Sequence, residues 1–368
     1  MRVVHVYKDV FPVTGGIENH VRMVCRELST FPDIDVHILA TSLDRRSSVD
    51  RLDGVQVVRT GRIATIASTP ISPRLPFELR RLQPDIVHLH FPYPVGEVAW
   101  LLATAKTPAV ITYHSDVLRQ RTLLRFYGPI LEQVLRRAAR ILVTSPAYRE
   151  TSEWLQPVID RCTVIPLGID LPRFTDVRHS GDGKTLLFVG RFRYYKGLHY
   201  LLEALTLIPD AHLILVGNGF KEAELREQAQ RLGLGARVEF ATAVSDEELV
   251  HFYERADLFV LPACERTEAF GMVLVEATAA ALPCVSTELG TGTSYVNLDG
   301  VTGLVVPPRN PEALARACRT LLEDPALRAR MGKAGRARTQ ELFSITRVAR
   351  DVASVYREIW QYRQGNGR

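Results

Sequence analysis

Residues 263–286 read ACERTEAFGMVLVEATAAALPCVS. The stretch follows one short apolar run, Asp257-Leu-Phe-Val-Leu-Pro262, and ends in another, Pro283-Cys-Val-Ser286, each of a length suited to a buried strand. Residues 271–282 are rich in Ala, Met, Leu and Glu, the composition of a helix packed tightly on a sheet. Strand, loop and helix are expected in that order.

Two carboxylates make the loop chemical. Glu268 precedes the helix and Glu276 lies inside it, with Ala269-Phe270-Gly271 at the helix start. A helix N-terminus opened by glycine presents free N–H groups and a partial positive charge, which suits a diphosphate. Carboxylates on either side would repel phosphate, so they fit better as acceptors for neutral hydroxyls. A nucleotide sugar offers both, sugar hydroxyls at one end and ribose hydroxyls at the other. On spacing alone, a helix cap at Glu268 and a solvated Glu276 stay open.

A second loop carries the opposite charge. Thr185-Leu-Leu-Phe-Val-Gly190 is an apolar strand, followed by Arg191-Phe-Arg-Tyr-Tyr-Lys-Gly197 and then by a helix with Leu198, Leu201, Leu202 and Leu205. In that setting the Arg191 fork and the Lys196 point charge are placed to meet phosphate oxygens. His212-Leu-Ile-Leu-Val-Gly-Asn-Gly219 is another strand, and it ends in a glycine-rich turn. At the start of the chain, the strand at residues 3–7 leads through Gly15-Gly16 into a helix with Ile17, Val21, Val24 and Leu28 on one face. Paired glycines let backbone approach a ligand, or simply make a tight turn. They do not form the G-x-G-x-x-G of a dehydrogenase-type dinucleotide fold.

With Arg191 and Lys196 ahead of Glu268 and Glu276, the chain resembles the retaining glycosyltransferases of family 4, over nearly its whole length. The resemblance implies the GT-B fold: two Rossmann-like, doubly wound α/β domains facing a cleft, with a C-terminal helix crossing back to the first. The expected divisions are residues 1–165, an acceptor-side domain; residues 166–342, a nucleotide-sugar domain; and residues 343–368, the returning helix. It further implies that Gly15 and Gly16 face the donor diphosphate, that Gly190, Arg191 and Lys196 hold the phosphates, and that Gly217 and Asn218 lie beside the nucleotide. Glu268, Ala269, Phe270, Gly271 and Glu276 complete the donor site, and backbone at Ala243 and Val244 is placed to read the base edge. Relatives often have a glycine after the aromatic of that strand, where this chain has Ala241 and Thr242. The turn Gly290-Thr-Gly-Thr-Ser-Tyr295 also lacks the acid that relatives often carry, a variant similar to bacterial polysaccharide mannosyltransferases.

His114 ends an apolar run, Ala109 to Tyr113, at the edge of a parallel sheet where ligand sites gather. The resemblance gives it contact with the transferred sugar and makes His114, Arg191, Lys196 and Glu268 the catalytic set; a polar strand terminus is the plainer alternative. His88 and His90 lie two apart on one strand and share a face. That spacing permits a metal, but with no third ligand evident a structural or cleft-lining role is expected. No Asp-x-Asp motif is present, so neither metal nor other cofactor is expected; the cations would stabilise the leaving diphosphate.

Further apolar runs at residues 36–40, 55–58, 86–89 and 141–143 lack a period of two and alternate with helix-length segments, as in parallel sheets covered on both faces. Residues 62–76, rich in Pro, Ser and Thr, are expected to form a mobile loop. Pro166, Gly168 and Pro172 mark a domain crossing. In the tail, Ile345, Val348, Val352, Val355, Tyr356 and Ile359 follow a helical stripe that must dock on something.

The chain of 368 residues is long enough for two ordinary domains. No run reaches bilayer-spanning length and the N-terminus is a strand, so a cytosolic protein is expected, possible contact with the inner face of the plasma membrane included. The five cysteines have no C-x-x-C spacing and read as reduced core thiols. The net charge of +5 is uneven, with 21 Lys and Arg against 16 Asp and Glu through Cys162 and 25 against 25 after it. Within residues 119–140, Arg119, Arg121, Arg125, Arg136, Arg137 and Arg140 face a single acid, Glu132, among apolar residues. The pattern suits an anionic membrane surface; a solvated helix face stays open, and nucleic acid is not expected, for no binding motif accompanies the arginines. The expected partners are a nucleotide sugar and a glycan or lipid-linked acceptor. The expected activity is hexosyl transfer, with mannose from GDP-mannose the leading donor; a UDP-sugar transferase, an epimerase or phosphorylase of the same fold, and a non-catalytic nucleotide-sugar-binding subunit are the alternatives.

Overall fold

Ten strands and their covering helices form a first unit, residues 1–168 and 345–368, and six more strands form a second, residues 169–344. The computed structural model describes residues 1–104, 106–116, 121–242 and 244–365.

In the first unit the strands are β1 (Arg2–Val6), β2 (Asp35–Thr41), β3 (Ser48–Leu52), β4 (Val55–Thr60), β5 (Ala64–Ile66), β6 (Thr69–Ile71), β7 (Ile86–Phe91), β8 (Ala109–Tyr113), β9 (Arg140–Val143) and β10 (Cys162–Val164). Eight of them make one sheet in the order β10-β9-β8-β7-β1-β2-β4-β3, parallel except for β3. Strand order reverses at β1, so the crossovers cover both faces. That is why β7 and β8 are buried at every position and show no alternation. The register sets His5 of β1 beside His88 of β7, and His90 beside Thr112 of β8.

The helix Ile345–Gly365 belongs to this unit although it ends the chain. Its stripe, Val348, Val352, Val355 and Tyr356, is buried, and Arg357 closes a two-pronged ion pair on Asp33 at 2.7 and 2.8 Å.

The second unit holds β11 (Thr185–Val189), β12 (His212–Val216), β13 (Val238–Ala241), β14 (Leu258–Leu261), β15 (Cys284–Thr287) and β16 (Gly303–Val306). They run in the order β13-β12-β11-β14-β15-β16, all parallel. The reversal of winding falls between β11 and β14, where a doubly wound sheet opens a crevice at its carboxyl edge.

Three expectations need revision. Residues 62–76 are not a loop: Ala64–Ile66 and Thr69–Ile71 pair as an antiparallel hairpin whose turn, Ala67 and Ser68, has positive φ at both residues, and a helix starts at Leu75. β3, solvent-facing and antiparallel, was absent from the expected strands. The helix expected over 271–282 spans only Met272–Ala279, because Ala281 turns to φ 59° ahead of Pro283. All five cysteines are free and buried. Among the described residues, no helix is long and apolar enough to cross a membrane.

Candidate active site

The second unit gathers its candidate residues where β11, β12 and β14 end. Gly190 follows β11 and Gly217 follows β12. The two turns touch: a Cβ on Gly217, whose φ is +130°, would lie 2.1 Å from the Gly190 carbonyl oxygen. Next to them the Asn218 carbonyl accepts from the Phe192 amide at 2.7 Å. Arg191 is exposed, whereas Lys196 is buried at the end of a single 3-10 turn, Tyr194–Lys196.

Lys196 and Glu268 find each other. Nζ lies 2.5 Å from Glu268 Oε2, and both side chains are about nine-tenths buried. Burial pushes the ammonium down, but Glu268, with Tyr195 and Glu276 behind it, holds its pKa above the usual lysine value. Glu268 is fixed through its backbone, whose amide donates to Glu265 O at 3.0 Å and whose carbonyl accepts from Thr291 Oγ1 at 2.8 Å. The Ala269 carbonyl accepts from the Gly292 amide at 2.7 Å, and Phe270 is buried edge-on to Phe343. Gly271 caps the helix Met272–Ala279 in the left-handed region. One turn into that helix, Glu276 Oε2 accepts from Tyr253 Oη at 3.0 Å. Val244 lies in the loop after β13; Ala243 is outside the described residues.

In the first unit Gly15 is extended and Gly16 opens the helix Gly16–Leu28, with space around its α-carbon. His114 follows β8 and is buried. Its Nε2 is 3.1 Å from His90 Nδ1, and its own Nδ1 has no partner among the described residues. His90 belongs to a cluster of five buried histidines with His5, His20, His88 and His114; a sixth buried histidine of the unit, His37, pairs with Asp35 on β2. Burial lowers all five, to about 3 at His5 and about 4 at His20, so every ring is neutral near pH 7.

His5 is the residue that sequence reasoning missed. With His88 and His90 it forms a trio whose ring nitrogens lie within 4.8 Å of one another. The signal existed, since a histidine on the first strand pairs with one on a neighbouring strand once the sheet order is known. His88 stacks on His90 at 4.6 Å and 7°, and His5 is tilted by 35° to His88 at 4.5 Å. All six of their ring nitrogens meet a hydrogen-bond partner: Thr112, Tyr356, His114 or one another.

In the basic segment, Arg119 lies outside the described residues, and so do the side chains of Arg121 and Arg125. Further along the helix Arg121–Arg137, Leu131, Val134 and Leu135 are buried while Glu132, Arg136 and Arg137 are exposed. Arg136 pairs with Glu132 at 2.8 Å. There, the apolar side joins the core.

Comparison with known proteins places this geometry. D-rhamnosyltransferase WbpZ of Pseudomonas aeruginosa is 39% identical over 355 residues, 94% of this chain and 92% of that protein. O-antigen chain mannosyltransferase C of Escherichia coli is 34% identical over 368 residues, 97% of this chain and 98% of that protein. The chain belongs to glycosyltransferase family 4. The family model described as Glycosyltransferase Family 4 matches residues 14–173 of the enzyme, and that described as Glycosyl transferases group 1 matches residues 173–338. Sucrose-phosphate synthase from Thermosynechococcus elongatus shares the fold at a TM-score of 0.79, with 24% identity and 98% and 99% of the two chains covered. HepE from Anabaena, in complex with UDP and glucose, does so at 0.77, with 20% identity and 97% and 100% covered. The glycosyltransferase is thus a hexosyltransferase of GT-B type.

Proposed function

We propose that this glycosyltransferase moves a mannosyl or D-rhamnosyl group from its GDP donor to a hydroxyl of a growing O-antigen-type glycan or its lipid-linked precursor, with retention at the anomeric carbon. The two named relatives supply both sugars. They differ by one oxygen, since D-rhamnose is 6-deoxymannose. The observation that carries the reading is the buried Lys196–Glu268 pair beside exposed Arg191, between glycine turns with no room for side chains.

In this reading Arg191 and Lys196 meet the donor diphosphate and Glu268 is released to a sugar hydroxyl. Glu276 serves the ribose. The C1–O bond to the diphosphate breaks as the acceptor oxygen bonds C1 on the same face, and the acceptor proton passes to the departing phosphate oxygen. Charge growing on the diphosphate is met by the two cations, without a metal. Turnover that persists in EDTA is therefore expected, and a requirement for added divalent metal would refute this part.

Thermal unfolding across GDP-mannose, GDP-D-rhamnose, UDP-glucose, UDP-galactose, UDP-GlcNAc and ADP-glucose tests the donor. A ligand at a hundred times its Kd adds about 2.7 kcal/mol. A shift with one GDP-sugar, followed by transfer to an acceptor, is the expected result. A shift with UDP-sugars alone overturns the base, and donor binding with no turnover on any acceptor favours a non-catalytic subunit.

A further inference from the structure

Six side chains of the first unit form one unbroken hydrogen-bonded series. Thr112 Oγ1 meets His88 Nε2 at 2.6 Å, and His88 Nδ1 meets Tyr356 Oη. Tyr356 Oη meets His5 Nε2 at 3.0 Å, His5 Nδ1 meets His90 Nε2 at 3.0 Å, and His90 Nδ1 meets His114 Nε2 at 3.1 Å. Every member is buried, and His5 and Tyr356 are 351 residues apart in the chain.

Proton counting gives the series a direction. Each contact needs one hydrogen, each neutral imidazole supplies one N–H, and the tyrosine supplies one O–H. Fixing any link fixes the rest. If Tyr356 donates to His88, then His88 Nε2–H must donate to Thr112, His5 donates to Tyr356, His90 to His5 and His114 to His90. His114 then ends with a bare Nδ1, and the Thr112 hydroxyl hydrogen has no acceptor among the described residues. If Tyr356 donates to His5, Thr112 donates to His88, His88 to Tyr356, His5 to His90 and His90 to His114. That arrangement uses every buried donor but one, the Nδ1–H of His114.

The first arrangement leaves two buried groups unmet, the Thr112 hydroxyl hydrogen and the His114 Nδ1 lone pair, and the second only one, the His114 Nδ1–H at the carboxyl edge of the sheet. An unmet buried donor or acceptor costs about 1–3 kcal/mol, so the second is the favoured one. We infer that this relay holds His114 as the neutral Nδ1–H tautomer, a hydrogen-bond donor presented to an oxygen of bound substrate. His114 accordingly donates a hydrogen bond and does not act as base toward the acceptor hydroxyl, which would need a bare Nδ1. Tyr356, His5, His88, His90 and Thr112 are positioning residues, and the last helix of the chain is thereby tied to the chemistry through one phenol.

The test is NMR of the full-length enzyme labelled with [15N]histidine, near neutral pH, in which long-range proton–nitrogen correlations show which ring nitrogen is protonated. His114 is assigned by its loss in His114→Gln. The expected spectrum has His114 protonated at Nδ1 and bare at Nε2; the reverse overturns the inference. Tyr356→Phe and Thr112→Val each remove a directing hydroxyl, and either should turn His114 into a mixture of tautomers, while Thr112→Ser, which keeps the hydroxyl, should restore the pure form. An unchanged His114 pattern in both Tyr356→Phe and Thr112→Val would overturn control by the relay. The kinetic arm rests on the proposed glycosyl transfer: Tyr356→Phe and Thr112→Val should each lower kcat about tenfold at constant donor KM, the value of one hydrogen bond in the transition state. Unaltered kcat beside an altered tautomer refutes the role in transfer. Failure of the unmodified enzyme to turn over any donor counts against the proposed function alone and leaves the tautomer result standing.

Discussion

Lys196 and Glu268 neutralise each other inside the second unit, and that contact separates two effects of mutation. Removing one partner of a buried pair strands the other, at about 3–5 kcal/mol. Lys196→Ala should therefore lower stability as well as turnover, whereas the Lys196→Ala/Glu268→Gln double variant should regain much of the stability while turnover stays about a hundredfold down. Urea midpoints beside kcat check this; a double variant no more stable than the single would refute the stranded-charge account. The pH dependence has a definite sign. The lysine pKa is raised on folding, so the pair's stabilisation is fully present below the unfolded lysine value, about 10.4, and is lost as pH rises through the higher folded value. On the lysine side, urea midpoints of unmodified and double variant enzymes should converge in that alkaline range.

At the scale of elements, the carboxyl ends of β11 and β12 meet so closely that one side chain would part them. Gly217→Ala puts a Cβ 2.1 Å from the Gly190 oxygen at a φ of +130°. Its cost should exceed about 1 kcal/mol, and the donor KM should rise because Gly190 and Arg191 move with the turn. Gly233→Ala is the control: φ is +69° but nothing lies within 4 Å of the added carbon, so about 1 kcal/mol of backbone cost is expected with an unaltered KM. A KM equally insensitive to both substitutions would sink the idea that turn contact shapes the donor loop. The same elements show what sequence carries. Apolar runs such as residues 109–113 and 185–189 announced buried strands, and the order of Arg191, Lys196, Glu268 and Glu276 was plain. That Lys196 touches Glu268 was not, because their meeting depends on β11 and β14 being neighbours. The histidine series was hidden likewise, arising only when β1, β7, β8 and the last helix come together. β3 had a legible sign that went unused, an Asp53-Gly54 pair between SVDRL and VQVVRT, which is a hairpin turn signal with both residues at positive φ.

The molecule as a whole divides its charge more sharply than the chain order suggests. Because the last helix joins the first unit, that unit holds 26 Lys and Arg against 18 Asp and Glu, and the second holds 20 against 23. Part of the excess is concentrated: Lys106, Arg137, Arg140, Arg161 and Arg363 line one surface pocket with a single acid, Glu358, beside the exposed ring of Tyr362. Cations beside aromatic rings suit the headgroup level of an anionic membrane, where each Lys or Arg adds about 1 kcal/mol. Lys106→Ala, Arg140→Ala and Arg363→Ala combined should then weaken binding to phosphatidylglycerol vesicles about a hundredfold in low salt. Transfer to a water-soluble acceptor should be unaffected, since none of the three lies in either candidate site. Binding by the unmodified enzyme should fade toward 1 M salt, where charges are screened within about 3 Å. Equal binding to zwitterionic vesicles, or an affinity indifferent to the three substitutions, would refute membrane contact through this face.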